Sequence, residues 1–367
     1  IIAGGAGAVF WMWLIAIIGS ASAFIESTLA QIYKKKGEHG SYGGPAYYIK
    51  QGLGSPLLGG AFAVALILTY MGGFNALASF NMTDFIKVYV PGERSSLYIG
   101  AIVAVLAGIV ILGGGKRISQ VTEVLVPIMA GIYILAAVII VLLHIQTLPL
   151  VFVRIFREAF SAKSVFGGLL GAAMMNGIKR GLFSNEAGSG SAPCAAAAAE
   201  CDDPVKMGLV QALGVLVDTI VICSCTAFVM LLAPESVTAG LTGMDLLQAA
   251  VQYHLGSFGV IFIAVTLALF SFSTFIGILF YARSNVAYLF GDRWLWQTLY
   301  KVLALGMLLV GGVQAYTVVW DLGDVGIGLM TIFNLIALYP LSGEKVLELF
   351  QQIAHRGGEG VSHAVRM

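Results

Sequence analysis

Gly177-Ile178-Lys179-Arg180-Gly181-Leu182-Phe183-Ser184-Asn185-Glu186-Ala187-Gly188-Ser189-Gly190-Ser191-Ala192-Pro193-Cys194 is the stretch on which the fold turns. It lies within residues 164–200, a run nearly twice as long as the ~20 residues that cross a hydrocarbon core. A single helix cannot pass straight through. Glycine costs about 1 kcal/mol and proline about 3 kcal/mol in a helix interior, and Gly181, Gly188, Gly190 and Pro193 crowd the middle of the run. The reading is a membrane helix over residues 164–200 that breaks at its centre. Irregular backbone survives at membrane depth only where it lines a cavity or is buried in protein. The break therefore predicts a site.

The rest of the chain supports a membrane setting. Of its 367 residues, 59% are apolar and 11% charged, whereas soluble domains carry about 25% charged residues. Long apolar stretches recur at residues 101–112, 124–143, 208–232 and 259–279. With the broken segment they predict about nine crossing helices, over residues 7–33, 57–86, 97–113, 119–144, 164–200, 208–233, 258–290, 294–312 and 316–340. The expected fold class is an all-α polytopic membrane protein, with a transmembrane core at residues 1–342 and a cytoplasmic tail at 343–367. The short alternating strands of a β-barrel are absent from the pattern. Residues 154–161 and 243–254 are too short and too polar to span, and read as interfacial amphipathic pieces. A net charge of +1 gives no basic field for nucleic acid. Cys194, Cys201, Cys223 and Cys225 lie in or beside apolar segments and read as buried free thiols rather than metal ligands.

Basic residues set the orientation. Placing Lys34, Lys35 and Lys36 in the cytoplasm puts Lys116, Arg117, Lys206, Arg293, Lys345, Arg356 and Arg366 on the same side. The opposite loops hold Lys87, Arg94, Arg154, Arg157 and Lys163, with no Lys or Arg between Leu231 and Gly256. The tail is then cytoplasmic.

The chemistry of the break suits a zwitterion. Half-helices ending within a membrane present N–H groups to a carboxylate and C=O groups to a cation. Candidate substrate-binding residues are Asn185, Glu186, Ala187, Gly188, Ser189 and Gly190; close helix packing by the small residues is the plainer alternative. Lys179 and Arg180 either serve a ligand or neutralise Glu186 across the break. Asn75 and Ser79, at i and i+4 on one helix face, are further candidates. Asp218, inside an apolar helix, is either a proton relay or a structural hydrogen-bond partner, while Glu26, Asp321 and Asp324 lie nearer helix ends. Trp320 is a candidate outer gate.

Four helices precede the broken one and four follow. Inverted-repeat transporters start each half with a discontinuous helix, so a five-plus-five plan expects another broken helix just before Ile1 and an N-terminally truncated chain. The run GIKRGLFSNEAGSGSAPCAAAAA, the opening GGAGAVFWMW, DDPVKMGLVQALGVLVDT, and VVWDLGDVGIGLM with NLIAL resemble the alanine or glycine:cation symporter family over nearly the whole chain. The resemblance implies a leucine-transporter-like inverted-repeat fold and Na⁺- or H⁺-driven uptake of alanine, glycine or a close relative across a prokaryotic inner membrane. It also implies that Ser273 and Thr274, in Phe272-Ser273-Thr274, complete a sodium site. Their oxygens suit a hard cation, although Ser and Thr in apolar helices also bond their own helix carbonyls. The family's Gln-Ala-Asn run is not reproduced around Asn75.

The expected partners are a small neutral amino acid and the lipid bilayer, with Na⁺ or H⁺ as coupling ion and no further cofactor. A rival reading is an ion channel or another non-coupled permease, although one break does not make a ring of pore loops. An intramembrane enzyme would need a nucleophile with its base or metal-ligand spacing, and the sequence shows neither.

Overall fold

Asp203-Pro204 shows how this sequence starts a span. Asp203 Oδ1 accepts the N–H of Val205 at 2.9 Å, and Pro204 occupies the first helical position, where a missing N–H costs nothing. Ser55-Pro56 repeats the device, with Ser55 Oγ accepting the N–H of Leu58. The computed structural model describes residues 4–37, 40–86, 92, 95–111, 114–161, 171–312 and 316–343.

The chain runs through α1 (Ala8–Ile32), a hairpin of β1 (Lys35–Gly37) and β2 (Gly40–Tyr42), α2 (Pro45–Gln51), α3 (Pro56–Ile67), a π-turn (Leu68–Phe74) and α4 (Asn75–Ile86). Next come α5 (Ser95–Ile111), α6 (Gly114–Leu143) and α7 (Leu148–Ala159). The broken element is α8 (Ala172–Asn185) followed by α9 (Ala192–Ala198). Then α10 (Pro204–Leu216), a second π-turn (Val217–Cys223), α11 (Ser224–Leu231), α12 (Glu235–Thr238), α13 (Gly243–Phe290), α14 (Trp294–Gly311) and α15 (Tyr316–Leu341) complete the described chain.

Among the described residues, seven segments are long and apolar enough to cross a membrane: Ala8–Ile32, Pro56–Thr83, Gln120–Leu143, Pro204–Leu231, Gly243–Phe290, Trp294–Gly311 and Thr317–Leu341. The other two of the expected nine do not qualify by length. Ser95–Ile111 has 17 residues, and neither half of the broken element is long enough by itself. Residues 164–170 of the expected 164–200 segment, and the expected tail from 344 onward, lie outside the described residues, as do Lys87, Arg94 and Lys163. The expected interfacial piece at 243–254 is the first arm of α13, set off from the long arm by Gly256 at φ 63°. That at 154–161 overlaps the second half of α7, which starts earlier, at Leu148, and ends at Ala159. The hairpin and α2 escaped the sequence pattern because three-residue strands and a seven-residue helix are too short to show a period.

Small residues decide the packing around α1. A Cβ at Gly177 would sit 2.6 Å from Trp11 Cβ, and one at Gly208 2.7 Å from Phe24 O. Only glycine lets α8 and α10 approach α1 that closely. The start of α1 is tied to α7, where Glu158 Oε2 accepts the N–H of Ala6 at 2.6 Å and Glu158 Oε1 accepts from Arg154 Nε at 2.8 Å. Ile18, Ile102, Val105, Leu135, Leu142 and Ile261 are exposed, as a surface that faces lipid requires. Of the cysteines, Cys194 and Cys225 are buried and Cys201 and Cys223 half-buried.

Replacing Gly177 by Val should destabilise the bundle by about 1–3 kcal/mol through overpacking. Gly131→Ala, where a Cβ meets nothing within 4 Å, should change stability by no more than about 1 kcal/mol, in the stabilising direction. Melting of the purified variants in detergent reads both; equal melting temperatures would remove the close approach of α1 and α8.

Candidate functional site

The helix stops where the sequence said it would, and its stop is locked by local hydrogen bonds. Asn185 ends α8. Glu186 adopts the left-handed conformation at φ 53°, unusual for a residue with a side chain, and its N–H bonds Leu182 O at 2.9 Å. Asn185 Oδ1 accepts the N–H of Ala187 at 3.0 Å. Ser189 brings both its N–H, at 3.0 Å, and its Oγ, at 2.6 Å, to Glu186 O. Gly188 and Gly190 take φ of 80° and 88°, angles that glycine adopts without steric cost. The chain becomes helical again at Ala192-Pro193.

Added Cβ atoms place this turn against α1: one at Gly19 would meet Ala187 Cβ at 3.0 Å, and one at Gly188 would meet Ser22 Oγ at 3.3 Å. Both α1 residues lie near the middle of a 25-residue span, so the break sits at mid-depth. Two buried side chains receive its peptide groups. Glu26 Oε1 accepts the N–H of Gly188 at 3.2 Å, and Asn334 Nδ2 donates both to Gly188 O at 2.9 Å and to Glu26 Oε2 at 2.8 Å. Tyr48 donates its hydroxyl to Asn334 Oδ1. Gln31 and Lys34 close the far end of α9 by donating to Ala199 O at 2.9 and 3.1 Å, where a helix leaves carbonyls unpaired.

On the other side of the break lies a cavity of about 1020 Å³. Ser184, Asn185, Glu186 and Ser191 from the break, Asp218 and Cys223 from the second π-turn, and Ser273, Thr274 and Tyr281 from α13 line it, within mostly apolar walls. Each π-turn holds one side of the break. Tyr70, in the first, donates to Glu186 Oε2 at 2.6 Å. In the second, Asp218 Oδ2 accepts from Ser184 Oγ at 2.6 Å, and Thr219 Oγ1 accepts from Asn185 Nδ2 at 2.9 Å. Wide turns of this kind recur at functional sites.

Several expected positions fall elsewhere. Ala187, Gly188, Ser189 and Gly190 form the turn behind the wall and do not line the cavity; the N–H groups of residues 186–189 are taken by protein acceptors rather than left for a ligand. Asn75 and Ser79 face α14: Asn75 Nδ2 donates to Met71 O and Ala304 O, and Ser79 Oγ to Leu308 O. Their i, i+4 spacing marked a common face but not which neighbour that face meets. Lys179 and Arg180 pair with Asp324, at 2.6 and 3.0 Å, and not with Glu186. Arg180 stacks 4.5 Å from the Trp320 ring centroid, and Trp320 packs on Phe183 at 5.2 Å. Phe183 in turn stacks on Phe74 at 5.0 Å, and these two rings line the cavity. Trp320 is thus one layer away from it.

Ser273 and Thr274 both line the cavity. Ser273 Oγ donates to Phe270 O at 2.9 Å, which leaves its oxygen lone pairs but not its proton for a ligand. Glu26, read as a residue near a helix end, proves fully buried and central. Its signal was an acid inside an apolar helix. Asn334 lay in NLIAL, Tyr48 and Tyr70 had no distinguishing pattern, and Asp218 was singled out without its partners.

The sodium:alanine symporter family profile matches residues 1–363. A probable sodium/glutamine symporter of Bacillus subtilis, GlnT, is 45% identical over 92% of this chain and 70% of its own length. The sodium/alanine symporter AgcS of Methanococcus maripaludis is 36% identical over 94% of this chain and 77% of its own. In fold, the chain is similar to a crystal structure of a manganese transporter mutant from Eremococcus coleocola, with a TM-score of 0.53 at 12% identity, over 91% of this chain and 70% of that one. From the match along nearly its whole length and the relatives that share its sequence, the chain belongs to the sodium:alanine symporter family.

Proposed function

We propose that this chain is part of a cation-coupled symporter that carries a small neutral amino acid, alanine or glycine, with Na⁺ or H⁺ across a prokaryotic inner membrane. The observation that carries the reading is the mid-depth break at residues 186–191, with polar side chains on a cavity inside an otherwise apolar bundle. Membership of the family and the names of the relatives point the same way.

The chemistry follows from the lining. Asn185 and Ser191 offer neutral donors and acceptors to the substrate carboxylate, and Glu186 offers negative charge to its ammonium. The alanines of α9 (Ala192, Ala195, Ala198) leave space for a short side chain. Ser273 and Thr274 supply hard oxygens to the coupling cation. The Arg180–Asp324 pair with Trp320, and below it the Phe74–Phe183 stack, form two layers that keep water from one end of the cavity and must part for exchange on that side. In this reading the two halves are inverted repeats, and the Lys34–Lys36 loop and the tail are cytoplasmic.

Reconstituted in proteoliposomes as a full-length version, the protein should accumulate labelled alanine or glycine against its gradient when a Na⁺ or pH gradient is imposed; ion conductance without substrate would favour the channel instead. Asn185→Ala should weaken amino-acid binding by about tenfold or more, the equivalent of ~1.4 kcal/mol, and unchanged affinity would remove Asn185 from the site. Replacing Ser273 and Thr274 together by Ala should raise the Na⁺ concentration for half-maximal uptake several-fold; an unaltered Na⁺ dependence would reject that pair.

A further inference from the structure

The cavity has an unbalanced charge. Among the described residues that line it, Glu186 and Asp218 are acidic and none is Lys, Arg or His. The nearby cations are engaged elsewhere: Lys179 and Arg180 both bond Asp324. Carboxylates removed from water need a counter-charge or several hydrogen bonds.

Both acids are held by hydroxyl donors. Glu186 accepts from Tyr70 at 2.6 Å and from Ser191, and it stands within electrostatic reach of Asp218. Asp218 is presented by the second π-turn, and its bonds from Ser184, at 2.6 Å, and Thr219, at 3.3 Å, both fall on Oδ2. Neither bond falls on Oδ1, and Asp218 lines the cavity. The donors of those bonds are themselves fixed, because Thr219 Oγ1 accepts from Asn185 and Ser184 Oγ lies 3.0 Å from Cys223 Sγ. A carboxylate and two hydroxyl oxygens thus stand together at the end of α8, a hard-oxygen set that suits a small cation or an ammonium group.

We propose that Asp218 is a further cation-holding residue of this cavity, beside Glu186 and the Ser273–Thr274 pair, and takes a positive charge that enters with the cargo, either the α-ammonium of the amino acid or Na⁺. The inference rests on the transport reading and adds to it a specificity residue outside the broken helix and outside the Ser273–Thr274 pair. It also gives the second π-turn a purpose: the wide turn carries Asp218, Thr219 and Cys223 to the end of α8, so the charge responds to any movement of the break.

The test measures binding of ²²Na⁺ alone, and of labelled alanine at saturating Na⁺, to the purified full-length protein and to Asp218→Asn and Asp218→Glu. If Asp218 holds Na⁺, Asp218→Asn should weaken Na⁺ binding about tenfold or more while alanine affinity at saturating Na⁺ stays within about twofold. If it holds the ammonium, alanine affinity should fall by that factor with Na⁺ binding kept. In either case Asp218→Glu should recover part of the loss. A folded Asp218→Asn protein that binds both as the unsubstituted protein does would overturn the proposal. Should that variant not fold, carbodiimide labelling of the unsubstituted protein decides: Na⁺ or alanine should slow modification of Asp218, mapped by mass spectrometry, and equal labelling with and without both would also overturn it. Binding of Na⁺ but of neither alanine nor glycine would defeat the proposed substrate while leaving the Na⁺ measurement to judge Asp218.

Discussion

Opening a helix inside a membrane exposes peptide groups that lipid cannot satisfy, each at a cost of several kcal/mol. In this chain local acceptors take the N–H groups of residues 186, 187 and 189, and Glu26 of α1 and Asn334 of α15 grip the N–H and C=O of Gly188 from outside the turn. Neither could do so alone. In these bonds Glu26 accepts and Asn334 Nδ2 donates, and a 2.8 Å bond joins the two side chains. Tyr48 then orients Asn334. Three segments far apart in sequence, α1, α2 and α15, therefore meet at the break between α8 and α9.

The opposite face of the break is shaped by the two π-turns. Each interrupts a span that would otherwise run as plain α-helix, and each turns a polar group toward the end of α8: Tyr70 to Glu186, Asp218 to Ser184 and Thr219 to Asn185. Peptide groups on the α1 side are consumed by structure, whereas side chains on the far side face open volume. The division is chemically sensible. Backbone geometry is fixed by buried partners, and recognition falls to side chains that can exchange a partner for a ligand.

Above this layer, the basic residues that the sequence places seven and six positions before Glu186 are turned outward. Asp324 collects both Lys179 and Arg180, and Arg180 lies on the Trp320 ring, which combines ionic and cation–π attraction at one corner of the bundle. The exposed share of Lys179 and Arg180 limits what those ion pairs add to stability. With these two engaged by Asp324, no Lys, Arg or His stands beside Glu186 and Asp218 among the described residues that line the cavity.

The membrane setting, most spans and the glycine-bearing break were legible from composition and local sequence, because spanning length and helix propensity are properties of neighbouring residues, whereas the left-handed Glu186 at the break was not. Asn185 and Glu186 drew attention as polar groups beside the break, whereas Ser273 and Thr274 were singled out through the family resemblance and not by local pattern. What the sequence could not decide was partnership. Whether Lys179 met Glu186 or Asp324, whether Asn75 and Ser79 looked into a cavity or onto α14, and whether Glu26 lay at a margin or at the centre depended on which helices pack together. That is settled by glycine-sized gaps such as those at Gly177 and Gly208, which set how near the helices come, and it became visible only in the tertiary structure.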